Sequence, residues 1–356
     1  MANKLAKNSV KNPDKKQQKE TKVNNSPKRT SIESIGKIAL INNLFEGSGY
    51  KNISYFKQKQ NLNASVLLLE GIDFNLVYTP LKHLGYKAVL AAIGPLYANL
   101  YTPVSLIFNI GLSSRFCYED IKEFWTGVLA AAHEHKISQI GLDLNASITG
   151  MAISISACGE QSSSITKQIP NPAKNDLICI TGNLGAAYMG LHVLERERVA
   201  FEKVPANSNY KQPDLSKYKY LLSQYLSPEI NPELINQFKE VKLYPSSGYF
   251  INKGLAYTIK QFCADTNLGT KIFLEKLPIA SGTFEMATEL NIDAITAALN
   301  GGDDYKFMFT IPLSKHEELH KEFPAYDIIG HVCDLKEGNS LITPEGAALE
   351  IRAQGW

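Results

Sequence analysis

The sequence predicts an α/β fold built as two lobes. At 356 residues the chain is long enough to bury two hydrophobic cores. Apolar runs typical of buried strands alternate with amphipathic helix patterns; residues 104–111, for example, precede a helix pattern at 118–135. A proline-bearing connection at 169–174 separates the two halves. We therefore expect an amino-terminal lobe at 31–168 and a carboxy-terminal lobe at 169–356.

Residues 78–103 are too densely apolar to form a surface loop. Apolar side chains recur there at the spacing of a helix that packs one broad face against a core. These side chains are Leu81, Leu84, Ala88, Val89, Ala92 and Leu96. Pro80 lies where a helix can begin, because the first turn needs no backbone N–H at that position. Pro95 lies late in the pattern, where we expect it to kink or end the helix.

Composition and cysteine spacing indicate a reduced, cytoplasmic protein. The amino terminus has no apolar run after its basic residues, and no stretch approaches the roughly 18 apolar residues of a membrane-spanning helix. The five cysteines lack the CxxC spacing of metal or redox sites. We expect them to be reduced and mostly buried thiols. They are Cys117, Cys158, Cys179, Cys263 and Cys333.

The net charge of +2 hides an asymmetry between the two ends of the chain. Residues 1–30 carry nine Lys and Arg against Asp14 and Glu20, a net charge of +7, which leaves −5 for the remainder. This basic tail has too few apolar side chains to fold on its own, so we expect it to be disordered. Two roles stay open: a solvated extension, or an arm for nucleic acid or an acidic partner.

Several segments resemble one enzyme family. The segments EGIDFNL at 70–76 and YTPLKHLGYKAV at 78–89 are similar to the start of the thiamine-monophosphate kinases, relatives of aminoimidazole ribonucleotide synthetase. Residues 176–191, 271–279 and 300–310 resemble later parts of that family. The resemblance implies an amino-terminal lobe whose strands pair with a second copy to form a barrel across a dimer. It also implies a carboxy-terminal lobe that covers a cleft for magnesium and ATP.

Some residues of the family's sites are kept. A segment similar to the family's Thr-Gly-Asp-Leu-Gly lies at 181–185, with Asn183 in place of the aspartate. A strand–turn–helix unit of this kind can cradle phosphate, although a plain connection fits the short motif equally well. The Gly-Gly-Asp-Thr-Thr turn survives partly at 140–150, and Gly-Gly-Glu-Asp-Tyr-Glu survives at 301–306 with Lys306 in place of the last glutamate. The resemblance implies Gly141, Thr181, Gly182, Asn183 and Gly185 as cofactor-binding residues, Asp143 as a metal ligand, and Asp143, Asp303 and Asp304 as remaining catalytic candidates.

Most of the family's magnesium ligands are replaced. Where the resemblance places carboxylates, this chain has Tyr50, Val66, Pro95, Phe250 and Lys253. Magnesium prefers oxygen ligands, and in phosphoryl-transfer sites the protein supplies its share of them as carboxylates. The glycines and the apolar stripes of the family remain, so the pattern indicates a selective loss of the magnesium ligands.

Two functions follow from this contrast. The first is a catalytically silent relative that acts as a binding or structural protein. The second is an active kinase that makes thiamine diphosphate from ATP and thiamine monophosphate, with magnesium held by Asp143, Asp303 and Asp304. As partner we expect a second copy of the chain or an active paralogue.

Overall fold

A computed structural model describes residues 60–204 and 214–353, the backbone of Phe56–Gln58, and the isolated positions Ala39, Asn43 and Glu46. The predicted basic tail at 1–30 and Tyr50 lie outside these residues. Residues 56–353 contain two sheets, which belong to the same compact unit. The architecture is mixed α/β, as the sequence predicts.

The first sheet has the strand order β1-β2-β5-β3-β4. Its strands are β1 Phe56–Gln58, β2 Asn61–Leu69, β3 Thr102–Leu112, β4 Gln139–Ala146 and β5 Met151–Glu160. Adjacent strands are antiparallel except β3 and β4, which are parallel. Burial alternates along β2 and β5, because successive side chains of a strand point to opposite faces. One face of the sheet therefore packs on a core, and the other face is exposed.

Two helices of this half pack tightly against each other. They are α1 Leu81–Ala98 and α2 Tyr118–Glu134. Most of helix α1 is buried, including every residue from 87 to 94, and only Lys82 and His83 are exposed, so the prediction of one broad buried face is too narrow. The reason is its position, since it contacts β2 and β5 of the first sheet, α2, and also β7 (Ser247–Ile251) of the second sheet.

Pro95 does not end the helix, contrary to one of the two outcomes expected for it. Helix α1 continues for three residues beyond it, to Ala98. The carbonyl of Pro95 accepts hydrogen bonds from the backbone N–H and the side-chain Nδ2 of Asn99, at 3.3 and 3.0 Å. These bonds satisfy the Pro95 carbonyl in the last turn. Pro95 itself has no backbone N–H to donate.

The second sheet has the strand order β12-β11-β8-β10-β6-β9-β7. Besides β7, its strands are β6 Leu177–Ile180, β8 Leu268–Phe273, β9 Lys306–Ile311, β10 Asp327–Asp334, β11 Asn339–Ile342 and β12 Ala348–Glu350. The remaining helices are α3 Ser163–Thr166, α4 Ala186–Glu202, α5 Lys219–Leu226, α6 Leu234–Val241, α7 Leu255–Thr266, α8 Ser281–Leu290, α9 Ala294–Asn300 and α10 His316–Glu322.

Both faces of this sheet are covered, as strand β9 illustrates. Phe307 and Phe309 belong to the core cluster that contains helix α1, whereas Met308 belongs to the cluster that contains helix α7. A strand buried on both faces reads as a continuous apolar run, and β9 has that composition. The sheet is thus held between α1 and the helices of its own half.

The cysteine prediction is confirmed. All five thiols are free; Cys179, Cys263 and Cys333 are buried, Cys158 is partly buried, and Cys117 is exposed. Within residues 60–204 and 214–353, no helix has both the length and the apolar character that crossing a membrane requires.

Candidate functional site

Three turns of the second half meet at one end of its sheet. The first turn, 181–185, joins β6 to α4; the second, 252–254, joins β7 to α7; and the third, 301–306, leads from α9 into β9. The backbone N–H of Gly185 donates to Asp304 Oδ1 at 2.8 Å, and the N–H of Asp303 donates to the Asn252 carbonyl at 2.9 Å. We call residues 181–185, 252–254 and 301–306 the three-turn site.

Two glycines allow these turns to approach each other. Gly185 and Gly254 have φ values of +79° and +87°, in the left-handed region that favours glycine. A β-carbon on Gly185 would lie 2.9 Å from the backbone nitrogen of Ala298, and one on Gly254 would lie 2.7 Å from the carbonyl oxygen of Leu299. The site therefore needs these glycines for its backbone, whether or not it holds a ligand.

Asp303 is paired with a lysine from the opposite half of the chain. Its Oδ2 lies 2.8 Å from Nζ of Lys87, which projects from helix α1 and is buried. The same Nζ lies 4.0 Å from the centre of the Tyr225 ring. A buried charge is tolerated when it is paired, so the Lys87 ammonium and the Asp303 carboxylate stabilise each other. Asp303, a candidate metal ligand, is therefore already paired with a cationic side chain of the protein itself.

The sequence reasoning missed Lys87. Lys87 lies in the segment 78–89 that carries the family resemblance, and that resemblance concerns the helix rather than this side chain. A lysine among apolar residues of a buried helix is itself a signal, because buried lysines are rare without a partner. That signal could have identified Lys87, although not its partner 216 residues further along the chain.

Asp304 is fully buried beneath the first turn. Its Oδ1 accepts the Gly185 hydrogen bond, whereas its Oδ2 has no hydrogen-bond partner within the described residues. Burial raises the pKa of Asp304 well above the usual value, although the Gly185 N–H and the charge of Lys306 oppose that rise. Asp304 therefore holds Gly185, the residue at which helix α4 begins, and its carboxyl group lies at the amino-terminal end of that helix.

Phe250 occupies an apolar contact between the two halves. Its ring centre lies 5.3 Å from that of Tyr305 and 5.6 Å from that of Phe307, and only 7% of Phe250 is exposed. A β-carbon on Gly94 of helix α1 would lie 2.5 Å from the Phe250 ring. The aromatic side chain at this position therefore belongs to the packed core.

The other replaced positions are equally unsuited to a divalent ion. Val66 is partly buried against the core of the first half, and Pro95 lies inside helix α1. Lys253 is exposed, with Nζ 5.5 Å from the centre of the Tyr257 ring. None of these side chains has a carboxylate oxygen to offer magnesium.

Asp143 and Gly141 lie in the first sheet, apart from the three-turn site. Both are part of strand β4, so the expectation of a turn at this place is wrong. The Asp143 carboxylate accepts hydrogen bonds from the Leu144 N–H at 3.0 Å and from Asn145 Nδ2 at 3.2 Å. The structure thus brings Thr181, Gly182, Asn183, Gly185, Asp303 and Asp304 together but leaves Gly141 and Asp143 elsewhere.

The donor set does not fit a magnesium centre formed by one copy of the chain. Among residues 60–204 and 214–353, no three His, Cys, Asp or Glu side chains are grouped so that they could hold a metal ion. Asp303 is paired with Lys87, and Asp304 offers a single unpartnered oxygen. Magnesium at phosphoryl-transfer sites is usually held by one or two carboxylates together with water and phosphate oxygens, and the Lys87 ammonium paired with Asp303 repels a second cation there.

Comparisons with known proteins agree with this fold. No family model matches the chain. The thiamine-monophosphate kinase of Aquifex aeolicus (strain VF5) is 24% identical over 329 residues, which are 91% of this chain and 97% of that protein. The thiamine-monophosphate kinase of Bacillus subtilis (strain 168) is 22% identical over 298 residues, 81% of this chain and 85% of that protein.

Solved structures show the same likeness. The crystal structure of the Aquifex aeolicus thiamine monophosphate kinase superposes with a TM-score of 0.71 at 20% identity, covering 90% of this chain and 100% of that one. AaThiL complexed with AMPPCP and TMP gives 0.72 at 21% identity, covering 92% and 98%. A chain of the HypE-HypF complex gives 0.62 at 17% identity, covering 89% and 100%.

The two sheets, with α1 packed against both and three glycine-bearing turns at one sheet end, are the fold of the solved thiamine-monophosphate kinase structures. The similarity extends over nine-tenths of the sequence. The chain is thus similar in sequence to the thiamine-monophosphate kinases and shares their fold.

Proposed function

We propose that this protein is a catalytically silent relative of the thiamine-monophosphate kinases and that it acts as a binding or structural protein. The observation that carries the proposal is the placement of Phe250. At a position where the family resemblance implies a metal-binding aspartate, the chain has an aromatic ring packed against Gly94 and Tyr305. An ion cannot replace that ring without opening the contact between α1 and β7.

The expected consequence for catalysis is large. Phosphoryl transfer depends on metal ions that bridge the phosphates and neutralise developing charge. If each ion lowers the barrier by several kcal/mol, the loss of two slows the step by at least about a thousandfold. The protein would then turn over too slowly to serve as a metabolic kinase.

A turnover assay tests this directly. The full chain is incubated with ATP, magnesium and thiamine monophosphate, and thiamine diphosphate is measured by chromatography. We expect no product above the protein-free control, while the Bacillus subtilis kinase, assayed in parallel, converts the substrate. Product that depends on this protein and disappears in Asp143→Ala would establish the opposite function.

That opposite function, an active kinase with magnesium and ATP, has one observation in its favour. Asp304 Oδ2 is buried without a hydrogen-bond partner in the described part of the chain. A metal ion or a water molecule could complete it. The Asp143→Ala arm of the assay separates the two functions, because Asp143 is a ligand only in the active kinase.

We further propose that the exposed face of the first sheet receives a second copy of the chain or an active paralogue. Leu67 and Ile107 are 56% and 55% exposed on this face. Strand pairing aligns Leu67 with Ser154, Ser154 with Asn109, and Asn109 with Asp143, so all four side chains share the face. A partner at this surface would therefore also cover the Asp143 carboxylate.

Substitution of two apolar residues tests this surface. We expect Leu67→Lys combined with Ile107→Lys to convert an assembled protein to monomer, because two lysines cannot be buried in an apolar interface at low cost. Native mass spectrometry measures the change, and co-expression with the paralogue distinguishes the two partners. Leu313→Lys is the matched control, since Leu313 is also 55% exposed but lies in the other half of the chain. A wild-type protein that is already monomeric and ignores the paralogue contradicts the proposal.

A further inference from the structure

A cavity of about 710 Å³ opens beside strand β9. Its walls are the end of α2, residues 229–241 with helix α6, residues 305–307, and residues 322–326 at the end of α10. Of the described residues that line it, Thr181, Tyr305 and Lys306 also belong to the three-turn site, and the others lie outside that site. The volume is in the range of pockets that hold small organic molecules. The cavity therefore has room for a ligand of its own.

Aromatic rings form the apolar part of the cavity wall. Tyr305, Phe307 and Phe323 are buried, and the rings of Phe323 and Tyr326 stack with their centres 4.9 Å apart. Packed rings give a rigid apolar surface that suits the flat body of an aromatic ligand. We therefore expect the cavity to hold a ligand with an apolar body.

Lys306 supplies the amino group of this cavity, at a position where the family resemblance implies a glutamate. A β-carbon on Gly182 would lie 3.3 Å from Lys306 Cε and 3.4 Å from its Cδ, so the side chain lies along the backbone of the first turn. Within residues 60–204 and 214–353, its Nζ has no hydrogen-bond or ion-pair partner, in contrast to Lys87, which is paired with Asp303. The amino group is therefore available for a ligand.

The surroundings of Lys306 favour the amine over the ammonium form. Burial lowers the pKa of Lys306, although the charges of Asp304 and Glu229 oppose that fall. Burial also raises the pKa of Asp304, which weakens the opposition from this neighbour. A lysine that is desolvated in an apolar pocket keeps a larger share of amine near neutral pH, and the amine is the nucleophile.

The remaining charged residues of the cavity determine which ligands can enter. Four exposed acids belong to the lining, and they are Glu134, Glu229, Glu240 and Glu322. With Lys306 they give −4 and +1, a net charge of −3. Exposed charges act on a ligand as it approaches, and salt screens them. A ligand with a phosphate or carboxylate group is therefore repelled, and a cationic or uncharged ligand is admitted.

We propose that Lys306 forms an imine with an aldehyde, and that the cavity accepts aldehydes that have an apolar body and no negative charge. The Nζ lone pair forms a bond to the carbonyl carbon. The carbonyl oxygen takes up the two protons that the nitrogen gives up, the C–O bond breaks, and the oxygen leaves as water. The step is a condensation and needs no oxidant or reductant. It is independent of the proposed loss of kinase activity, so the turnover assay does not decide it.

Reductive trapping of the full chain tests the reaction. Three benzaldehydes of similar size serve as probes, with a trimethylammonium, a methyl or a carboxylate group opposite the aldehyde. Sodium cyanoborohydride donates hydride to the imine and fixes it as a secondary amine, which peptide mass spectrometry locates. The control is Lys239, an exposed lysine of α6 beside Glu240 that does not line the cavity.

We expect the methyl probe to label Lys306 at least about fivefold faster than Lys239, because the buried amine is the better nucleophile. The advantage should disappear in urea, where the cavity no longer exists. Equal labelling of the two lysines in the folded protein overturns the inference. An advantage that persists in urea also overturns it, because the reactivity would then not come from the cavity.

A rim variant tests the choice of ligand. In the wild type we expect Lys306 to react about threefold faster with the trimethylammonium probe than with the carboxylate probe, and high salt should reduce this ratio. Glu229→Gln combined with Glu240→Gln should also reduce the ratio and leave the rate of the methyl probe unchanged. Thermal melting verifies that the variant folds. Faster labelling by the carboxylate probe, or a folded variant with an unchanged ratio, contradicts the proposed selectivity.

Discussion

Replacing Phe250 by aspartate is expected to lower the free energy of unfolding by about 4 kcal/mol. The substitution removes a buried ring that contacts Gly94, Tyr305 and Phe307, and it leaves a carboxylate in place of the ring. The loss of the ring creates a cavity, and the carboxylate has no cation prepared for it. Urea unfolding followed by circular dichroism measures the difference.

The matched control is Phe250→Leu, which keeps the site apolar and is expected to cost about 1–2 kcal/mol. Each variant is also melted with and without magnesium. We expect the ion to leave both midpoints unchanged, since mass action raises a midpoint only when the native state binds the ligand. The proposal is contradicted if the aspartate variant is as stable as the wild type. It is also contradicted if magnesium raises the melting temperature of that variant by several degrees, because the position would then still accept a metal-binding carboxylate.

Asp303 and Asp304 are both stabilised by groups that belong to the chain itself. Clustered carboxylates repel each other, and a neighbouring cation or hydrogen-bond donor removes that penalty. Asp303 has the Lys87 ammonium at 2.8 Å, and Asp304 has the Gly185 N–H together with attraction from Lys306. The Lys87 contact and the Gly185 contact use scaffold elements, so these acids can be kept for folding alone. Their presence is therefore weak evidence for kinase activity.

Local pattern was enough to predict most elements. Helix α1, strand β3 and the strand–turn–helix of β6 and α4 each have a hydrophobic period that their neighbours do not contradict. The turns were also predictable, because glycine is required where backbones cross closely. These features depend on a few residues near in sequence, which a single sequence displays directly.

At Asp143, the match to the family's turn predicts the wrong secondary structure. We expected a turn, yet residues 139–146 alternate apolar and polar side chains, the mark of a strand, and Leu142 and Leu144 flank the aspartate. The alternation of apolar and polar side chains is visible in the sequence and predicts a strand, whereas the match to the family's turn predicts the wrong structure. Which face Asp143 occupies could not be predicted, because that depends on its register with Asn109 in β3.

The pairing of Lys87 with Asp303 and the burial of most of α1 share one cause. Both arise because α1 lies between the two sheets, where its first turns reach the three-turn site and its last turn contacts β7. A helix that contacts only one sheet would show the single apolar stripe that we expected. The packing of the two halves is a long-range property, and hydrophobic period alone does not report it.

The crossing of α1 and α2 leaves no room for a single added methyl group. A β-carbon on Gly127 would lie 1.8 Å from the Lys82 carbonyl oxygen, and one on Gly85 would lie 2.0 Å from the Phe124 carbonyl oxygen. Backbone atoms cannot rotate away as a side chain can, so the helices must separate. We expect Gly127→Ala to lower the free energy of unfolding by about 3–4 kcal/mol.

Gly282→Ala is the matched control, because it adds the same methyl group in helix α8, where the nearest atom is a Tyr220 ring carbon at 3.9 Å. Helix propensity predicts that this control is neutral or up to about 1 kcal/mol more stable. Because Lys87 lies on α1, moving that helix also pulls its ammonium away from Asp303, so Gly127→Ala should weaken any ligand binding at the three-turn site along with stability. Equal melting temperatures for Gly127→Ala and the wild type would mean that the two helices do not cross this closely, and the position of Lys87 would then have to be reconsidered.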